Sequence, residues 1–229
     1  MEAMKHTAVR TRRLNGALRY NGAIVLKYDI KYPEFYSKRY PLSAKKMSAV
    51  YRQRALLLLR RIRTSLYNNA VEDYKNSIAN GYPIHTYEAM QTFNITYNED
   101  CLLSLYMEYY EYTGGAHGST ERASQTWNMN IGRTLPLAAF FKKGYNYTDR
   151  LKELINEQIA EQIANGTGAY FDNYSELVDK TFNPENYYLT RYALTVYFQQ
   201  YDIAPYASGI PTFMLPYAEA GVILPVCYK

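Results

Sequence analysis

The chain contains no run of 18 or more apolar residues, which excludes a membrane-spanning helix. It has only three histidines, and none forms the H-x-x-x-H or H-E-x-x-H spacing that sets two imidazoles on one helix face. Its two cysteines, Cys101 and Cys227, are far apart and neither has a histidine nearby, so zinc-type spacing is absent. They need not pair, and we read them as reduced, buried thiols that behave as small hydrophobes. The start, MEAMKHTAVRTRRLNGALRY, is basic but lacks the apolar stretch and small-residue cleavage site of a secretory signal. On these grounds the chain as written is expected in the cytoplasm.

Phenylalanine is scarce, with 8 residues, whereas tyrosine reaches 27. Tyrosine favours strands and joins an apolar ring to a polar tip, so this balance predicts half-exposed sheets and recognition surfaces. Charge is divided along the chain. Residues 1–80 hold 17 Lys/Arg against 5 Asp/Glu, a net +12, and residues 81–229 hold 9 against 16, a net −7. The basic first third makes a nucleic-acid-associated protein the alternative reading, although its positive residues are spread over a tail, a strand and a helix.

Residues 22–31, GAIVLKYDIK, read as a strand ended by Tyr32-Pro33. A long helix follows over residues 43–79, capped by Ser43 and stopped by Gly81 and Pro83. Its apolar positions Met47, Tyr51, Ala55, Leu58, Ile62, Leu66 and Ala70 recur at three- and four-residue steps. Strands are expected at 87–97, 101–113 and 121–131, with a tight turn at Asn98-Glu99-Asp100. In the third of these, Ala123, Gln125, Trp127, Met129 and Ile131 alternate with polar neighbours, as in a sheet with one wet face. A second helix is read over 148–165 with Thr148 as its cap, and a short one over 175–181. Strands return at 187–199, 211–217 and 222–227. The fold class is α+β, an antiparallel sheet packed against one long and one medium helix.

The stretch TGGAHGSTE follows a strand and precedes another. It has neither the lysine nor the helix that a P-loop needs. Ser119 lies near His117, but no G-x-S-x-G elbow is present, and no group of residues has metal-ligand spacing. We therefore expect no enzyme, no cofactor and no metal. A hairpin connection explains the glycines but not the histidine, and loops on a rigid sheet are where recognition is usually carried.

The segment YEYTGGAHGSTERASQTWNMNIGRTLPLAAFF, within residues 109–141, resembles the core motif of the RsiV-type sensor domain. VYFQQYDIAPYASGIPTFMLPY, residues 196–217, is similar to that family's C-terminal signature, and IKYPEF, residues 30–35, with the helix after it resembles a PdaC-type N-terminal part. The resemblance implies a noncatalytic protein-binding module. In family members a similar domain lies outside the cell on a membrane-bound anti-sigma factor and binds lysozyme, which leads to release of the sigma factor. Other relatives carry the N-terminal part ahead of a peptidoglycan deacetylase domain. This chain shows neither a spanning helix nor that domain's metal-binding histidines, so signalling and deacetylation do not carry over. The implied organisation is a basic tail over 1–19, a PdaC-like part over 20–98 and an RsiV-type part over 99–229, sharing one core. The implied partner is lysozyme or another cell-wall-related protein, and the implied place is the envelope or the outside of the cell. The expected partner-binding residues are Thr113, Gly114, Gly115, His117 and Ser119 in the first loop, and Tyr201 and Tyr206 in the turn after the late strand.

Overall fold

A computed structural model describes residues 6–227 of the chain. The elements run β1 (Ala8–Tyr20), β2 (Ala23–Tyr36), α1 (Pro41–Arg61), a π-helical turn (Ile62–Leu66), α2 (Tyr67–Asn80), β3 (Tyr87–Glu99), β4 (Leu102–Tyr112) and β5 (Ser119–Asn128). They continue with β6 (Arg133–Leu135), α3 (Tyr147–Ala164), α4 (Tyr174–Thr181), β7 (Tyr187–Leu189), β8 (Ala193–Tyr197), β9 (Thr212–Pro216) and α5 (Tyr217–Ala220). Strands pair in the order β1-β2-β3-β4-β5-β6 and, separately, β7-β8-β9. The fold is α+β. The chain forms two compact units, one of Thr7–Phe93 with Met107–Thr120 and the other of Asn94–Tyr106 with residues 121–227. The division is not the single cut expected near residue 98, because β3 and β4 each pass from one unit to the other.

In the first unit, residues expected to form a tail instead make β1, antiparallel to β2 along its whole length. Asn21 and Gly22, with φ of 47° and 83°, close this hairpin, since a two-residue connection that follows strand twist needs positive φ at both positions. β2 also runs past Pro33 to Tyr36. It pairs with β3 only over Leu26–Ile30, so at Pro33 just one edge is bonded and a residue without an N–H is tolerated. The β2–β3 pairing is parallel, and α1, the π turn and α2 form the crossover that parallel strands require.

Met47, Tyr51, Ala55, Ile62, Leu66 and Ala70 are all buried along this continuous helix. A four-residue step overshoots one α-helical turn by roughly 40°. The wider π turn at Ile62–Leu66 absorbs part of that drift and keeps the stripe on Val25, Leu26, Tyr28 and Ile30 of β2. Pro41 opens the helix with Tyr40 at the cap position, and Ser43 lies inside the first turn instead of capping it. Gly81, at φ 70°, ends it as expected. Arg12 and Arg13 on β1 pair with Glu34 and Asp29 on β2, and Arg61 pairs with Glu111. Part of the positive charge of the first third is thus neutralised within the fold.

In the second unit, Leu151, Leu154, Ile155 and Ile159 bury one stripe of α3. Asn146, not Thr148, precedes this helix, and its amide bonds Asp149 in the first turn. The expected strand 187–199 is two, β7 and β8, joined through Thr190, whose N–H and hydroxyl both bond the Ala193 carbonyl. β6, which falls in none of the strands expected from sequence, pairs with the end of β5. Residues 222–227 form no strand. The alternation expected on β5 also breaks. Thr126 is buried at 1% exposure because its hydroxyl meets that of Ser104 at 2.8 Å, while Ile131 is 58% exposed. The Ser104 hydroxyl in turn accepts the Leu189 N–H at 3.0 Å.

The cysteines correct our reading most clearly. Cys101 and Cys227 form a disulfide with Cα atoms 5.5 Å apart, closing a loop with a sequence separation of 126. Such a cross-link stabilises mainly by restricting the unfolded chain. We expect Cys227→Ser to lower unfolding free energy by about 2–4 kcal/mol, read as a drop in the urea midpoint. Reductant should reproduce the drop in the unsubstituted protein and leave the variant unchanged.

Candidate functional site

The seven residues singled out from sequence fall into two groups, one on each unit. Thr113, Gly114, Gly115 and His117 belong to the connection between β4 and β5 in the first unit, and Ser119 opens β5. Gly114 and Gly115 have φ of 96° and 89°, a region that disfavours side chains. The Tyr112 hydroxyl donates to the Gly115 carbonyl at 3.1 Å, and the His85 ring stands edge-on to Tyr112 at 6.4 Å. Gly118 is constrained differently. A methyl group there would lie 2.5 Å from the Tyr110 ring and 2.6 Å from the Glu111 carbonyl. His117 is exposed, and its Nδ1 lies 3.1 Å from the Gly118 carbonyl oxygen. Beside this loop, burial and then the Glu111 carboxylate push the Tyr109 phenol well above its usual range. The glycines are thus explained by the turn, and His117 is shown at its tip.

Tyr201 and Tyr206 lie in the second unit, after β8. The Gln199 N–H donates to Asp202 Oδ2 at 2.7 Å and the Asp202 N–H donates to the Gln199 carbonyl at 3.1 Å, making a tight turn. Tyr201 occupies it with φ of 68° and is 53% exposed. Its ring lies 6.0 Å from that of Tyr206. Ile203 and Ala204, buried at 0% and 1%, pin the following backbone, and the Phe171 N–H bonds the Ile203 carbonyl at 3.1 Å. Two tyrosines are therefore displayed on a fixed support.

The same turn borders a cleft of about 530 Å³, a feature not anticipated from sequence. Glu121, Arg122 and Ser124 of β5 line it, as do Asn183, Glu185 and Asn186 after α4, and Tyr197, Gln199 and Asp202. Gln199 acts as a substitute peptide group: its Oε1 accepts the Arg122 N–H at 3.0 Å and its Nε2 donates to the Arg122 carbonyl at 2.7 Å. The Arg122 guanidinium lies over the rings of Tyr106 and Tyr197, 4.4 and 5.3 Å from their centroids, and bonds Thr212 Oγ1 at 3.1 Å. Burial raises the phenol of Tyr197 and the carboxyl of Asp202. Arg122, Gln199 and Asp202 all fall within the two motifs quoted above. The signal was present, but spacing alone does not show which motif residues meet. Among the described residues, no group of three or more His, Cys, Asp or Glu side chains could hold a metal ion.

With this geometry established, comparisons with other proteins add a family context. Residues 21–120 match the family model described as deacetylase PdaC, and residues 138–218 match a protein family of unknown function, DUF3298. The fold is similar to that of a DUF3298 family member from Bacteroides fragilis, with a TM-score of 0.66 and 21% identity over 97% of this chain and 96% of that one. A DUF3298 family protein from Pseudomonas aeruginosa gives a TM-score of 0.61 and 21% identity over 95% of each chain. No curated protein matches the chain.

The amide clamp makes a direct prediction. Gln199→Ala leaves the Arg122 N–H without its acceptor and removes one donor from the Arg122 carbonyl, so it should destabilise the protein by about 1–3 kcal/mol in urea unfolding. Gln199→Glu keeps the acceptor but sets a carboxylate against that carbonyl and beside Asp202, and should recover little of the loss.

Proposed function

We propose that this chain is a noncatalytic protein-binding module whose partner is a lysozyme or another cell-wall-related protein, and that it works in the envelope or outside the cell. The observation that carries this reading is the Tyr201 turn. An exposed tyrosine beside a second ring, on backbone pinned by buried Ile203 and Ala204, offers contact area with little entropy left to lose. The glycine-built tip at Thr113–Ser119 is a second display loop, carried on the other unit. The net −7 of residues 81–229 favours approach of a basic partner. The Cys101–Cys227 disulfide supports an oxidising compartment, since such bonds persist chiefly outside the cytosol.

Calorimetry against a panel of lysozymes at two salt concentrations tests the proposal. Binding in the submicromolar range is expected, weakening at higher salt. Tyr201→Ala and Thr113→Arg should each reduce affinity by about tenfold or more, while near-UV circular dichroism stays unchanged. Absence of heat with every lysozyme, from a chain shown to be folded, would remove lysozyme as partner. Binding that ignores both substitutions would place the contact elsewhere.

A further inference from the structure

The outer face of α1 carries a pattern that its packing on the sheet does not explain. Residues 37–71 hold nine Lys/Arg and no Asp/Glu. Four of the nine are engaged within the fold. Arg61 pairs with Glu111, Arg63 donates to the Tyr28 hydroxyl at 2.8 Å, and Arg39 and Arg54 lie over the rings of Tyr40 and Tyr51. The other five, Lys38, Lys45, Lys46, Arg52 and Arg60, are exposed and have no ion pair among the described residues. Exposed cations by themselves are ordinary.

What sets this face apart is the leucines that stand among them. Leu42, Leu56 and Leu57 are 82%, 47% and 57% exposed. At about 100° per residue, Leu42, Lys45, Ala49, Leu56 and Arg60 fall within roughly 40° of one line along the helix. Arg52 and Leu57 flank that line, which runs opposite the buried Met47 and Tyr51 for roughly 27 Å. The apolar side chains that hold α1 to β2 are thus on one face, and a second, mixed set of leucines and cations is turned outward.

That mixture narrows the partner. Nucleic acid would meet the cations with its phosphates but leave the leucines in water. A rigid protein surface would need matched pockets for leucines spaced over four turns of a convex helix. An anionic bilayer meets both halves of the pattern, because headgroup phosphates receive the cations and leucines enter the acyl boundary without preformed pockets. We infer that the outer face of α1 docks on the surface of an anionic lipid bilayer. Leu42, Leu56 and Leu57 reach into the boundary, and Lys45, Arg52 and Arg60 lie on headgroup phosphates. The inference goes beyond the protein-binding reading, since it concerns the first unit and holds whichever protein the Tyr201 turn meets.

Flotation with vesicles of equimolar phosphatidylglycerol and phosphatidylcholine tests it, beside vesicles of phosphatidylcholine alone and a double-stranded DNA fragment. The chain should float with the anionic vesicles only and be released as salt rises. Leu56→Gln with Leu57→Gln, both exposed positions, should lower partitioning by about tenfold, and Arg52→Gln with Arg60→Gln by as much or more. Lys27 and Lys31 alternate along β2 with Leu26, Tyr28 and Ile30, which face the helix. Lys27→Gln with Lys31→Gln therefore removes equal charge from the other face of the sheet and should cost less than about threefold. Far-UV circular dichroism checks that each variant keeps its helix.

No flotation with the anionic vesicles would overturn the inference, and DNA binding in its place would assign the face to nucleic acid. Equal loss from the Lys27 and Lys31 changes would also overturn it, as would leucine changes without effect in a folded variant. The vesicles carry no protein, so either failure leaves the lysozyme measurement untouched.

Discussion

The second unit depends on a side-chain amide acting in place of backbone. Gln199 follows β8 and forms both a donor and an acceptor bond with Arg122, the two bonds that a neighbouring strand would have made. This closes the gap between β5 and the end of β8, where no strand pairing exists. The Tyr197 hydroxyl adds a further bond to the same carbonyl and one to Ser124 at 3.2 Å. Part-buried amide pairs of this kind face reduced competition from water, and breaking one leaves both backbone groups short of a partner. Everything proposed to be functional in this unit is attached to that clamp. The cleft uses β5 as one wall, and the tyrosine turn begins at Gln199 itself.

A second set of polar contacts ties the three-stranded sheet to its neighbours within the same unit. The Ser104 hydroxyl meets Thr126 and accepts from Leu189, and the Tyr187 hydroxyl donates to the Leu135 carbonyl at 2.7 Å. Burial raises the Tyr187 phenol further, so it remains a donor throughout the ordinary pH range. These bonds fix the register of short strands, which three-residue β7 could not specify by side-chain alternation alone. The first unit solves its packing by another route. There one long helix covers β2, and a π turn in its middle lets a four-residue repeat stay on the sheet.

Much of this was legible in the residues. Long-range periodicity located the first helix, Gly81 marked its stop, and the second helix was read over 148–165, close to α3 at Tyr147–Ala164. What escaped the reading was cooperative. Ala8–Tyr20 looks like a tail because its side chains are mostly polar, yet an edge strand with one partner needs little apolar surface, and its arginines find carboxylates on β2. Asn21-Gly22 was a sufficient local signal for that hairpin. Thr126 broke the expected alternation because Ser104, distant in sequence, supplied the hydroxyl that lets it be buried. The disulfide was invisible for the same reason, since two cysteines 126 residues apart carry no spacing information. The loop tip and the tyrosine turn were found as motifs, whereas the cleft lined by Arg122, Gln199 and Asp202 forms only where the two motifs meet in the fold.

Charge then separates the two units in kind. The basic first third consumes some of its own charge in cross-strand pairs such as Arg13 with Asp29, at 2.7 Å, where the acceptors lie on the adjacent strand. The acidic remainder does not do the same at the cleft, where three carboxylates are held together without an internal cation pair. Burial raises the Asp202 carboxyl there, and the hydrogen bond from the Gln199 N–H works against that rise. Asp202 also closes the turn that displays Tyr201, so one short piece of backbone shapes both the cleft wall and the tyrosine tip.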